Sequence, residues 1–381
     1  MKNKAAVVII GGGVIGCATA YNLAKQGLSD AVIVEKNFLT SGATGRCGAG
    51  VRQQWGLEMN CRLAKASVDQ FEHLSEELDY NIEFRQGGYL IIAETDAKLD
   101  FYRKNVALQN SLGIPSRVIT IEEAKQICPY LNPDGLVGAT YCPTDGHCNP
   151  FATTFAYARA AKRMGVEINT HTEVIGIEVS GDRVTAVNTD KGKIHCEAVV
   201  NAAGGYSQII GKMVGLNLPT YSERHEILVT EPVGHMFDTM VISFTTGLYV
   251  QQVPHGSIIM GMGDKTEPPS YNLESSWHFL DMIVPVVTKT LPVLKNVRIV
   301  RQWGGLYNKT PDCQPIIGEA ETVKGFYNAV GFSGHGFMIA PITAEVIAKM
   351  IVKKPVDMPI EKLTLSRFAK GDLILEPSVV G

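Results

Sequence analysis

Gly11, Gly13 and Gly16, in the run Gly11-Gly12-Gly13-Val14-Ile15-Gly16, are answered downstream by a single acid, Glu35. Glycines at this spacing let a chain turn tightly, bring its backbone up to a pyrophosphate and pack a helix closely on a strand. The flanking residues supply the elements such a turn must join. Ala5–Ile10 is wholly apolar and reads as a buried strand, and Ile15–Gln26 reads as a helix of small residues. Free N–H groups around Val14 and Ile15 then lie at the positive end of a helix, where phosphate oxygens are stabilised. Ala31–Val34 is the second strand, and Glu35 at its end is placed to accept hydrogen bonds from a ribose diol. The chemistry this pattern predicts is dinucleotide binding.

Two later stretches repeat the theme of a strand running into tiny residues. Val199-Val200-Asn201 leads into Ala202-Ala203-Gly204-Gly205, and Phe326–Val330 leads into Gly331-Phe332-Ser333-Gly334-His335-Gly336-Phe337-Met338. A single nicotinamide-binding domain needs no such turn so late in the chain, whereas a long flavin dinucleotide threaded through the protein does. After Glu35 and Lys36 comes Ser41–Gly50, with four glycines in ten residues. That density predicts a loop too flexible to pack as an element, kept because a ligand approaches its backbone. Gly42, Ala43, Thr44, Arg46 and Gly48 in this loop, together with Val174 further on, complete the candidate cofactor contacts.

Positioning these turns takes more than one core. At 381 residues the chain predicts two interleaved domains. Residues 1–82, 148–220 and 310–381 form a Rossmann-like α/β dinucleotide-binding domain. Residues 83–147 and 221–309 form an α+β substrate domain built on an antiparallel sheet. Tyr89–Ala93 reads as a strand. Helices are expected over Leu63–Leu78, Asp96–Leu112, after a capping box at Thr120–Glu123, from Asn149-Pro150 to Met164, and from Pro341 to Met350. Residues 173–201 alternate as a β-meander, and 221–262 is strand-rich.

The apolar fraction of 45%, the charged fraction of 19% and a net charge of −3 give no electrostatic footprint for nucleic acid. No apolar run is long enough to span a membrane, and the N-terminal one passes straight into the glycine turn without a cleavage site, so a cytoplasmic location is expected. The eight cysteines are scattered, with no C-x-x-C pair, which predicts free thiols and no metal site. Cys142 and Cys148 are near enough in sequence to bridge, but a reducing compartment argues against it.

The stretches V-I-I-G-G-G-V-I-G, V-V-N-A-A-G from Val199, W-G-G-L-Y-N-K-T-P-D-C-Q-P-I-I-G from Trp303 and G-F-S-G-H-G-F from Gly331 together resemble the D-amino-acid oxidase superfamily of FAD proteins over essentially the full length. R-C-G-A-G-V-R-Q-Q-W from Arg46 is most similar to β subunits of two-flavin enzymes of the dye-linked L-proline dehydrogenase type, with opine oxidase and heterotetrameric sarcosine oxidase as further likenesses. The resemblance implies FAD in this chain. It also implies an α subunit in a hetero-oligomer, with FMN near the subunit boundary. Departures from the relatives refine it. The cysteine that bonds FAD covalently in monomeric sarcosine oxidases is matched here by Gly305, which implies non-covalent FAD. The carboxylate-clamping arginine of glycine oxidases is matched by Tyr307, and lysines of the sarcosine oxidases by Met338 and Ile259. The histidine that carries FMN in heterotetrameric sarcosine oxidase is matched by Pro150. The resemblance thus implies a dehydrogenase rather than an oxygen-using oxidase.

The implied reaction transfers hydride from the α-carbon of a small secondary amino acid, proline or hydroxyproline first, to the flavin, and then passes electrons to the partner's FMN. Such chemistry asks the protein chiefly for position: a neutral amine, an α-C–H facing the flavin and a gripped carboxylate. Arginine grips carboxylates best. Arg52 is the first candidate and Arg301 the second. His225, Tyr249 and Tyr307 are candidate substrate contacts, and Trp303 is either packing or a wall of the site. Two other readings remain open. One is an electron-transfer or assembly subunit whose flavin meets no substrate; the other is a sarcosine-, glycine- or opine-oxidising enzyme.

Overall fold

In the computed structural model, which describes residues 1–378, the apolar run ahead of the first glycines lies at the heart of a nine-stranded sheet. Val7–Ile10 pairs in parallel with Ala31–Val34 on one side and Ala198–Asn201 on the other. The parallel order continues outward through Glu167–Asn169 beyond the first and Val323–Val330 and Arg183–Thr189 beyond the second. Val174–Ser180, Gly192–His195 and Ile316–Ala320 add antiparallel pairings. Strands buried on both faces are near-continuously apolar, and Val7–Ile10, Ala31–Val34 and Ala198–Asn201 are buried at every position, the one polar side chain, Asn201, donating to the Ser207 carbonyl. Val14–Lys25 covers one face, packed against Pro150–Arg163 and Ala340–Ile351; its Ala18, Ala20 and Ala24 permit the close approach.

A second, eight-stranded sheet runs in the order Ile299–Lys309, Tyr221–Thr230, Ile258–Gly261, Tyr249–Gln252, Met240–Ile242, Tyr89–Ala93, Gly138–Cys142, Arg117–Ile119. It was expected to be antiparallel, and all but one of its pairings are. Met240–Ile242 joins Tyr89–Ala93 in parallel, because these strands come from distant segments rather than from one hairpin. The strands of the first sheet derive from residues 7–34, 167–201 and 316–330, those of the second from 89–142 and 221–309. The chain is of mixed α/β class.

Local signals place most helix starts. Thr120 and Glu123 form the reciprocal capping box ahead of Ile121–Ile127, and Asn149 Oδ1 accepts from the N–H groups of Phe151 and Ala152 at the start of Pro150–Arg163. The helix expected from Leu63 begins earlier, at Glu58. The glycine-dense loop is more ordered than its composition predicts. Ala43–Arg46 forms one 3₁₀ turn, Ala49 is buried, and Gly50–Val51 pairs with Gly146–His147. Tertiary contacts supply the order its residues lack. All eight cysteines are free, Cys142 and Cys148 included.

A buried ion pair fixes the C-terminal region. Arg367 Nε and Nη2 donate to the Asp312 carboxylate at 2.8 and 2.9 Å, and both side chains are all but inaccessible to solvent. The same guanidinium donates to the carbonyls of Gln314, Pro315 and Thr364. Asp312 also accepts from the N–H of Ile374, so the clamp directs the segment beyond Lys370 back toward the interior.

Candidate functional site

Between the two sheets lies a cavity of about 740 Å³ whose walls come from both. At Gly11 the backbone adopts φ +116°, and a Cβ there would stand 2.4 Å from the Ala202 carbonyl oxygen. Only glycine fits, on conformation and on space alike. A Cβ at Gly16 would meet the Gly11 carbonyl at 2.0 Å, so this glycine allows helix and strand to pack. Gly16 is therefore behind the cavity rather than on its wall. Glu35 Oε2 accepts from the Gly12 N–H at 2.8 Å and Oε1 from the Asn37 N–H at 2.8 Å, which fixes the acid at the strand end. Thr44 Oγ1 accepts from the Val14 N–H at 3.1 Å and ties the 3₁₀ turn to the helix start. Lys36 Nζ sits 3.4 Å from the centre of the Tyr206 ring.

The residues lining the cavity include Gly11, Gly13, Val14, Ile15, Glu35, Lys36, Gly42, Ala43, Thr44, Arg46, Gly48, Val174, Ala202, Ala203, Gly204, Gly305, Gly334, His335, Gly336, Phe337 and Met338. Gly331 is off the wall. Its φ of +76° lets its N–H reach Asn308 Oδ1 at 2.7 Å, so it shapes the loop that follows. Gly334, at φ +93°, lies where a Cβ would be 2.4 Å from the Tyr307 ring, and so the loop can lie flat on that ring.

Arg52, His225, Tyr249 and Tyr307 all line the same cavity, the last three on strands of the second sheet and Arg52 just after Gly50–Val51. His225 stacks on Tyr307 with ring centres 4.3 Å apart, and its Nε2 is 3.2 Å from Tyr249 Oη. Burial, and secondarily the charge of Lys309, push the His225 imidazole down to about 4, so it is neutral at physiological pH. Burial likewise raises the Tyr249 hydroxyl well above its ordinary value. His335 is buried with neither ring nitrogen partnered, edge-on to Trp55 at 5.1 Å. Burial first and Arg52 second push it down to about 3.

Arg52 is 3% exposed. Its guanidinium lies 3.9 Å from the Trp55 ring centre and donates to the Gln54 carbonyl at 2.5 Å and the Ser378 carbonyl at 2.7 Å. The platform beneath it hangs on Asp145, which accepts from the Gln53 N–H at 2.7 Å and from Gln54 Nε2 at 3.1 Å. Gln54 reaches on to Tyr89 and Thr140 of the second sheet. Burial lifts the Asp145 carboxyl to about 6.

Beyond Gly16 and Gly331, two sequence-based expectations need correction, those for Arg301 and Ile259, and the alternatives left open for Trp303 are resolved. Arg301 is exposed on the edge strand and off the cavity, so it does not grip a ligand there. Trp303 is packing: its indole N–H donates to the Arg46 carbonyl at 3.0 Å. Ile259 packs beside Tyr249 and Met240 but does not line the cavity, and its apolar character therefore says nothing about oxygen. Sequence reasoning passed over Trp55, Asp145 and Asn308. The Gln53-Gln54-Trp55 run after Arg52 was a usable signal for the first, and Asn308 lies inside the stretch from Trp303, but nothing local marks Asp145.

The match to known proteins follows the same geometry. A family model described as FAD dependent oxidoreductase, DAO, matches residues 6–350. The chain belongs to this family. Its relatives include sarcosine oxidase subunit beta of Rhodobacter capsulatus, 29% identical over all of this chain and 92% of that one. The Arthrobacter sp protein of the same name is 31% identical, covering 98% of this chain and 94% of that one. The crystal structure of L-proline dehydrogenase from P. horikoshii superposes with a TM-score of 0.95 at 39% identity, over 98% of this chain and 100% of that one. This DAO-family chain is an FAD-dependent oxidoreductase. Its cavity fits the cofactor on its own terms. It has a Cβ-free cradle at the helix start and, deeper in, buried polar atoms without a protein partner at His335 Nδ1 and Nε2 and Asn308 Nδ2.

Proposed function

We propose that this chain is the catalytic β-type subunit of an amino-acid dehydrogenase that oxidises a small secondary amino acid, proline or hydroxyproline first. Gly11, Gly13, Val14, Glu35, Thr44 and the Ala202–Gly204 turn would hold non-covalent FAD at its nucleotide end. Gly48, Gly305 and the Gly334–Met338 loop would hold its ring system. Bound FAD supplies the two-electron acceptor. The sheet carrying Tyr89 and Tyr221–Lys309 is the substrate unit of this reading.

A buried arginine facing the cavity beside a neutral aromatic cluster is the observation that carries the proposal. An α-carboxylate brought into that space needs a charged, bidentate partner, and the Arg52 fork keeps N–H groups beyond those given to Gln54 and Ser378. A secondary amine is protonated at neutral pH and must lose that proton before its α-C–H can be oxidised. The His225 Nε2–Tyr249 Oη pair, uncharged and hydrogen-bonded, faces the same space and offers the neutral amine a hydrogen-bond partner, while an imidazole held at about 4 is too weak a base to deprotonate an ammonium, so the amine enters as its free base. Tyr307 and Trp55 exclude water from the same volume. The relatives named as β subunits support a partner subunit, and FMN at the boundary with that partner belongs to the same reading.

The test is dye reduction by the FAD-loaded protein with L-proline and with pyrrolidine, its analogue lacking the carboxylate. Truncating one partner of a desolvated charge pair costs about 2–5 kcal/mol, a loss of about 30- to 5,000-fold. Arg52→Ala is expected to lose that much kcat/KM with proline and little with pyrrolidine. Equal losses would remove Arg52 from the substrate and leave the carboxylate without a clamp.

A further inference from the structure

The end of the described chain reaches the site from an unexpected direction. After Lys370 the segment passes the Asp312–Arg367 clamp, where the Ile374 N–H is held, and enters the space behind Arg52. The Glu376 carboxylate is buried there and spends both oxygens on the turn that follows Arg52. It accepts from the Gly56 N–H at 3.0 Å and the Leu57 N–H at 2.9 Å, just ahead of the helix Glu58–Glu77. The same carboxylate accepts from the Ser378 N–H at 2.9 Å, which turns the Ser378 carbonyl toward Arg52 Nη2, 2.7 Å away. Asn105 Nδ2 approaches the Ser378 hydroxyl at 3.5 Å. One acid thus holds both a helix start and the carbonyl that orients the guanidinium.

We infer that Glu376 is a positioning residue that aims Arg52, through the Ser378 carbonyl, for an α-carboxylate substrate. Arg52 is stacked on Trp55 and tied to Gln54 on one side, so two of its rotational freedoms are already fixed. The Ser378 carbonyl fixes the remaining one, the direction in which its free N–H groups point into the cavity. A guanidinium grips a carboxylate through two parallel hydrogen bonds and tolerates little rotation. Without Glu376 the guanidinium keeps its charge and its stacking and loses its heading. The inference rests on the proposed role of Arg52, and its consequence is specificity: the tail decides how strongly acids are favoured over amines of the same shape.

The experiment compares Glu376→Gln and Arg52→Ala as FAD-loaded full-length proteins, with L-proline and pyrrolidine as substrates and a dye as acceptor. The glutamine places an NH2 against one of the N–H groups now accepted, at nearly constant volume. Small misplacements of a positioned group cost up to about a hundredfold. Glu376→Gln is expected to raise KM for proline about tenfold or more, with kcat for pyrrolidine and flavin content unchanged. Truncation after Leu375 removes the same contacts without the mismatched amide, and it carries the test should the glutamine variant not fold. Equal losses on both substrates would overturn the inference and leave Glu376 as a support of the fold. If Arg52→Ala discriminates and neither tail variant does, the inference fails while the reading of Arg52 stands. If Arg52→Ala does not discriminate, both fail.

Discussion

Replacing Arg367 by Met should be among the most damaging single changes remote from the cavity, and the structure gives its size. The side chain is 2% exposed and Asp312 is fully buried, so the substitution leaves a carboxylate in the interior without its counter-charge. Breaking a buried pair in this way costs about 3–5 kcal/mol. The carbonyls of Gln314, Pro315 and Thr364 also lose their donor, and the apolar methionine side chain returns part of that loss. The central expectation is about 4 kcal/mol, a thousandfold change in the folded ratio that a domain of ordinary stability survives. Burial alone would raise the Asp312 carboxyl, yet the Arg367 hydrogen bonds outweigh it and hold the group below the usual carboxylate range. A depressed carboxyl stabilises above its unfolded value and ceases to as pH falls through its folded one. The wild-type advantage over Arg367→Met should therefore shrink in acid. Urea unfolding followed by circular dichroism measures all of this. Asp312→Asn in the Arg367→Met background removes the stranded charge and should recover about 2 kcal/mol, the coupling typical of residues in one network. A loss under about 1 kcal/mol, or strict additivity in the double variant, refutes the reasoning.

Gly11→Ala forces a side chain into φ +116° and against the Ala202 carbonyl, and strain of this kind costs about 1–3 kcal/mol; purified protein should carry much less flavin, read from the ratio of visible to ultraviolet absorbance, and full occupancy would contradict the cradle. Tyr249→Phe leaves His225 Nε2 without its partner and should lower kcat up to about a hundredfold, since small misplacements of groups that position a substrate cost that much; unchanged turnover would take the pair out of the reaction. His147, buried with Nε2 unpartnered, is pushed down to about 4 by burial and then by Arg85. Between about pH 6.5 and 4 the unfolded chain binds a proton there that the native one does not, so stability falls as pH falls. His147→Asn should flatten that slope by up to about 1.4 kcal/mol per pH unit in denaturant titrations, and an unaltered slope would refute it.

The first sheet was legible because its rules are local. Parallel strands buried on both faces are near-continuously apolar, and a glycine with positive φ beside a helix start leaves a spacing that survives in one dimension. Val7–Ile10, Ala31–Val34 and Glu35 fall where that spacing puts them. The same logic found Asn149 and Thr120, whose caps are made within three residues. It failed on Ser41–Gly50, where glycine content predicts disorder and the order comes from Thr40, Val14 and the strand Gly146–His147. It failed again on Arg301, since position two residues before Trp303 does not say which face of an edge strand points inward.

The substrate half of the cavity obeys a different kind of rule. Arg52 could be singled out by type and by its place after the flavin-side loop, but what makes it a candidate clamp is its setting. Asp145 holds its platform, the second sheet holds Gln54, and the chain end holds its heading. None of those partners is a sequence neighbour, and none carries a motif. Of these partners Tyr89 lines the cavity itself, while Asp145, Thr140 and the chain end reach it only through Arg52 and its platform. A buried guanidinium is costly unless its hydrogen bonds are met, so its partners are required by physics even where no pattern announces them. The carbonyls of Gln54 and Ser378 meet that requirement without adding negative charge beside an incoming carboxylate. A site lined with carboxylates would have satisfied Arg52 as well and excluded the α-carboxylate proposed for it.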